Sequence, residues 1–196
     1  VQGTWRWNRE SKESTPKGHG FQKFNKSVMR LSNQMSVYDI KSKKEWQKIL
    51  DDACEESGMP AALVDKKNVV LQVSGERNPL CSEIRANNES LSFICGQTQQ
   101  FMTKQAKSTR KPVIDACEAG LLKFLIPLFL DTDFMGSITV CGSCAPGEEI
   151  ETFAIAKSTK MNENEITPLA KMVPEADQEK VRGVVQRLFQ KIKKDV

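Results

Sequence analysis

Apolar residues recur every three or four positions from Phe21 through Phe24, Val28 and Leu31 to Met35, a spacing that predicts a helix. Ser42 is followed three residues later by Glu45, a capping-box pattern. Trp46, Ile49, Leu50, Ala53 and Cys54 then fall on one helix face, and Gly58 and Pro60 end that helix. Residues 61–65 and 69–73 read as two strands of a hairpin around Lys66, Lys67 and Asn68. A short helix is expected from Cys81 to Ala86. A longer one carries Leu91, Ile94, Cys95, Thr98, Phe101, Met102 and Gln105 on one face.

Residues 112–116 form a short predicted strand. Residues 121–130 are apolar on both alternations, the pattern of a strand buried on two faces, and 134–140 returns beside it across Asp131, Thr132 and Asp133. Helices are expected at 148–158, 162–172 and 175–194, the last with Val181, Val184, Val185, Leu188 and Ile192 on its apolar face. This order predicts an α+β fold, a central antiparallel sheet with flanking helices of the PAS or GAF kind. It divides the chain into an arm (1–20), a helix and linker (21–43), a central domain (44–160) and carboxy-terminal helices (161–196).

Charge changes the picture at one end. The net charge is +4, but residues 1–50 carry +7 and the remainder −3. The basic arm, with Trp5 and Trp7 among its charges, raises a nucleic-acid reading. A solvated arm explains the same composition, so nucleic acid is not the expected partner. The longest apolar run, 121–130, is interrupted by Lys123 and Pro127 and falls short of the roughly 20 apolar residues of a membrane span. No secretory signal is visible, so the expected compartment is the reducing cytoplasm.

The chemistry concentrates in six cysteines, set against a single histidine, His19. Cys54 sits on an apolar helix face and is expected in the core. Cys95 fits either the core or a site. Cys81, Cys117, Cys141 and Cys144 stand at element ends, where distant segments converge. Only Cys141-Gly142-Ser143-Cys144 has the close spacing of a metal knuckle or redox pair. Thiolates gathered in one place need a cation. With so little histidine, an iron–sulfur cluster is the expected cofactor and zinc the alternative. Without metal, Cys141 and Cys144 offer a reversible disulfide.

Several segments in order carry a resemblance. These are Glu45 to Leu50, Gly58 to Asp65, Leu80 to Arg85, Cys95, then Cys117-Glu118-Ala119-Gly120-Leu121, Phe124, Ile126-Pro127 and Gly136-Ser137-Ile138. Over residues 44–160 the chain resembles the PocR sensory domain, a PAS-like ligand-binding family of prokaryotic regulators. The resemblance implies a module that senses small organic compounds and signals to an output domain. Cys81, Cys95 and Cys117 match the family's three cysteine positions. Glu118 replaces a usual histidine, which places it beside the site as a contact for the bound group. Cys141 to Cys144 replaces a Gly-Gly-Gln stretch and adds thiols.

The chain contains no phosphate-binding loop, no H-E-x-x-H and no G-x-S-x-G, so no enzyme is expected. The expected site is a pocket on the concave face of the sheet, closed by the helices of Cys81 and Cys95. In it Cys81, Cys95 and Cys117, with Cys141 or Cys144, hold a metal or cluster, or the pocket takes a small organic ligand. An output domain or partner protein, and a homodimer built on the first and last helices, complete the expected partners.

Overall fold

A computed structural model describes residues 35–194 of the chain. The arm, the Phe21 helix and the nucleic-acid reading attached to them lie outside the described residues.

The first long helix, α1 (Lys43–Ser57), begins as its sequence predicts. The Ser42 hydroxyl accepts from the Glu45 amide and the Glu45 carboxylate accepts from the Ser42 amide, so two otherwise unpaired donors are satisfied together. Gly58 ends the helix in the left-handed conformation, φ 71°. The hairpin β1 (Ala61–Asp65) and β2 (Val70–Ser74) follows. The chain then forms α2 (Pro79–Ala86), a turn at Asn88–Ser90, a π-helical stretch at Leu91–Gly96, and α3 (Gln97–Thr109). Next come β3 (Val113–Ala116), β4 (Leu122–Leu130) and β5 (Asp133–Ser143). The chain closes with α4 (Thr152–Thr159), α5 (Glu163–Ala170) and α6 (Gln178–Lys194).

The strands make one antiparallel sheet in the order β2-β1-β5-β4-β3. This is the α+β, PAS/GAF-like arrangement expected from the sequence. β4 lies between β5 and β3 with side chains packed on both of its faces, in keeping with its apolar run.

One face of the sheet packs under α1 and α6. Trp46, Leu50, Phe124, Ile138, Val184 and Leu188 meet there, each burial contributing about 1.5–3 kcal/mol. The Trp46 indole donates to the Val37 carbonyl at 2.9 Å, so its polar edge is satisfied inside the core. The apolar stripe of α6 is thus taken up within the chain, covering the sheet. On the opposite face α3 covers only the β3–β4 end, through Met102, Ala106, Val113 and Leu125. A separate small core joins α2, the π-helical stretch, α4 and α5 through Leu80, Ile84, Ile94, Ile155 and Ile166. Between these two patches the sheet is left uncovered by packed side chains.

β5 runs to Ser143, three residues beyond its expected end, and it does so through a bulge. Leu122 faces Ser143 and Lys123 faces Cys141, leaving Gly142 as an extra residue at φ 125°.

Candidate functional site

The uncovered part of the sheet forms a cavity of about 530 Å³. Its floor is β1, β4 and β5, and its walls are α2 and the π-helical stretch, as expected for the pocket. Apolar side chains such as Val64, Val70, Leu91 and Leu121 supply much of its surface. Its polar groups are thiols, hydroxyls, amides and cations.

Four of the expected cysteines line it: Cys81 from the first turn of α2, Cys95 from the π-helical stretch, Cys117 from just after β3, and Cys141 from β5. Burial pushes the Cys81 thiol up to about 12, and Cys141, Cys117 and Cys95 add to that effect. Burial likewise holds Cys117 at about 11, opposed by the amides of Ala119 and Leu121. Burial raises Cys95 too, while the Arg85 guanidinium and the Lys123 ammonium pull it back. Cys81 and Cys117 are therefore neutral thiols near pH 7.

The π-helical stretch is a local reason for this convergence. The Gln97 amide donates to the Ser92 carbonyl five residues back. Ile94 and Cys95 of that wide turn both line the cavity. Such turns recur at functional sites.

Asn78 fixes the geometry of the thiol end. Its side-chain oxygen accepts from the Cys81 amide at 2.7 Å, capping α2, and its side-chain nitrogen donates to the Gly142 carbonyl at 2.6 Å. One side chain thereby sets the Cys81 helix against the Cys141 strand. At the other end Thr139 donates to the Gln99 oxygen at 3.3 Å, and the Gln99 nitrogen reaches Asn68 in the hairpin turn at 3.5 Å. Asn68 also accepts from Thr103 at 3.2 Å, so the hairpin is tied to α3.

Two expected site residues are placed elsewhere. Cys144 is only 7% exposed, lies in the small core with Leu80 and Ile155, and donates its thiol proton to the Glu148 carbonyl at 3.1 Å. Its backbone bonds to Pro174 and Ala176 hold it there. The extended path of β5 and its bulge at Gly142 carry Cys144 past the cavity, so the C-x-x-C spacing does not make a knuckle. Glu118 is exposed in the turn between β3 and β4 and is not among the lining residues. In that turn the Gly120 amide donates back to the Cys117 carbonyl at 2.8 Å, and Gly120 adopts φ 78°. Cys54 packs at the edge of the main core, as expected.

The donor set does not make a ready site for a single ion. Among the described residues no group of three or more His, Cys, Asp or Glu stands close enough to hold a metal ion. The six cysteines are free thiols.

Sequence reasoning missed the cavity's cations, Lys123, Arg85 and Arg77. Lys123 carried a signal: it is the only charge within the apolar run 121–130. Asn78 followed by Pro79 carried a local helix-cap signal, but its bond to Gly142 and those of Gln99 to Asn68 and Thr139 carried none, because these partners are distant in sequence.

Among the described residues no helix is long and apolar enough to cross a membrane. No curated protein matches the chain, and no solved structure does. A family model described as the sensory domain found in PocR matches residues 39–194, running through the carboxy-terminal helices as well as the sheet. The chain belongs to the PocR sensory-domain family and is a ligand-sensing regulatory module.

Proposed function

We propose that the thiol-lined cavity is the sensing site and that it takes a small organic ligand without a metal. The observation that carries this reading is the cavity itself. Its volume of about 530 Å³ falls within the roughly 300–1,000 Å³ typical of small-molecule sites. Its lining is mostly apolar with a few convergent polar groups. A ligand there touches β1, β4, β5, α2 and the π-helical stretch together. It therefore favours whichever arrangement of these elements fits it, and only that differential contact shifts the module. The change passes to a partner or output domain. No catalytic step is involved, and the expected setting is the cytoplasm.

A second reading has one specific observation behind it: four thiols from four separate segments meet at one cavity. An iron–sulfur cluster, or zinc, uses such a set. It requires the thiols to draw together and to lose protons that burial now holds on Cys81 and Cys117.

Anaerobic purification followed by iron, zinc and acid-labile sulfide analysis, with native mass spectrometry, separates the two. The organic-ligand reading predicts substoichiometric metal and sulfide and a mass shift from added organic ligand. Stoichiometric iron with sulfide, or one zinc per chain lost on mutating Cys81, would replace it with the second reading.

A further inference from the structure

Lys123 is 4% exposed, lies on β4 between β5 and β3, and lines the cavity. Among the described residues it forms no ion pair. Its cross-strand neighbour on β3 is Asp115, but that carboxylate accepts from the Ala116 amide at 2.9 Å and is exposed. On β5 its neighbour is Cys141. Arg85 stands nearby, half-buried beside Cys95, and Arg77 sits at the exposed rim. Among the described residues lining the cavity there is no Asp or Glu.

A charge carried by a largely buried residue is ordinarily paired, and the cavity lining offers Lys123 no carboxylate. Cys81 and Cys117 do not supply a negative charge, because burial holds both protonated. The described residues thus place Lys123 and Arg85 inside an apolar cavity, with Arg77 at its rim, and line it with no carboxylate.

Resting on the organic-ligand reading of the cavity, we propose that the ligand is a small organic anion: an apolar body with one carboxylate, the carboxylate meeting Lys123 and Arg85. Val64, Val70, Leu91 and Leu121 provide the apolar wall for the body of such a molecule. The amides of Gln99 and Asn68 lie at the opposite end from the Asn78 clasp, where they meet further polar substituents. Lys123 is then the ligand's counter-ion, and its cost in the empty protein is relieved when the ligand enters. That gives the anion the differential affinity a switch needs.

The test uses matched pairs that differ only in charge: benzoate against benzamide, and hexanoate against hexanamide. Each is titrated calorimetrically into the wild type, Lys123→Met and Lys123→Arg. The wild type should bind the carboxylates at least about tenfold more tightly than the amides. Lys123→Met should lose that preference and keep its amide affinity, and Lys123→Arg should retain the preference. In the absence of ligand, Lys123→Met should melt about 2–4 °C higher, because it removes an uncompensated buried charge. Amides binding as tightly as carboxylates in the wild type, or a carboxylate preference that survives Lys123→Met, would overturn the proposal while leaving a ligand site. Failure of both classes to bind would remove the organic-ligand reading along with it. A lower melting temperature for Lys123→Met would show that Lys123 is satisfied within the chain, against the proposal.

Discussion

The side-chain nitrogen of Asn78 donates to the backbone carbonyl of Gly142 at 2.6 Å, across 64 residues of sequence. The same residue caps α2 at the Cys81 amide. A wall and the floor of the cavity are thus held together by one amide group. Its oxygen serves the helix and its nitrogen serves the strand.

Replacing Asn78 separates those two roles. Asn78→Asp keeps an oxygen for the cap but has no donor for Gly142, whereas Asn78→Ala loses both. Urea unfolding should show a loss of about 1–3 kcal/mol for Asn78→Ala and a smaller one for Asn78→Asp. Both variants should weaken ligand binding by a similar factor, since both free the Gly142 strand. Equal stability of Asn78→Ala and wild type would show that the clasp contributes nothing.

The turn after Cys117 rests on Gly120. A Cβ there would lie 2.7 Å from the Glu149 carbonyl oxygen, on a backbone at φ 78°. Gly120→Ala should cost about 1–3 kcal/mol in chemical unfolding, and it should raise the alkylation rate of Cys117 by loosening the turn. A variant as stable as wild type would mean that the loop carrying Glu149 yields freely.

The thiols set a pH dependence with a definite sign. An unfolded cysteine titrates near 9.0, while Cys81 in the folded chain is held at about 12 and Cys117 at about 11. The folded state therefore retains protons that the unfolded state has released. The stability this brings is fully present below pH 9 and is lost as pH rises through 11 and 12. Thermal melts from pH 8 to 11 should show a decline that Cys81→Ala flattens. Iodoacetamide at pH 8 should modify Cys81 and Cys117 roughly tenfold or more slowly than the same cysteines in urea. Rapid labelling of both in the folded protein would contradict their burial as neutral thiols.

Much of this architecture is legible in the sequence because it follows local rules. The capping box at Ser42 and Glu45 marks the start of α1, and the two-sided apolar run at 122–130 marks the central strand. Cys81, Cys95 and Cys117, singled out in the sequence, line one cavity. The parts that were not legible depend on geometry without a sequence period. The bulge at Gly142 separates Cys141 from Cys144, and the wide turn at Leu91–Gly96 reads in sequence as an ordinary helix face. Lys123 reads as a break in an apolar strand until the fold shows that its side chain lines the cavity and, among the described residues, forms no ion pair.

The most direct measurement of the account is a fluorescence titration with the neutral apolar probe N-phenyl-1-naphthylamine, on wild type and Ala62→Trp. Ala62 lies on β1, lines the cavity and is only half-buried, so an indole there fills empty space and leaves the two cores intact. The account predicts saturable one-site binding by the wild type, and loss of that binding in an Ala62→Trp protein that melts at an unchanged temperature. A folded Ala62→Trp protein that binds the probe as the wild type does would contradict it.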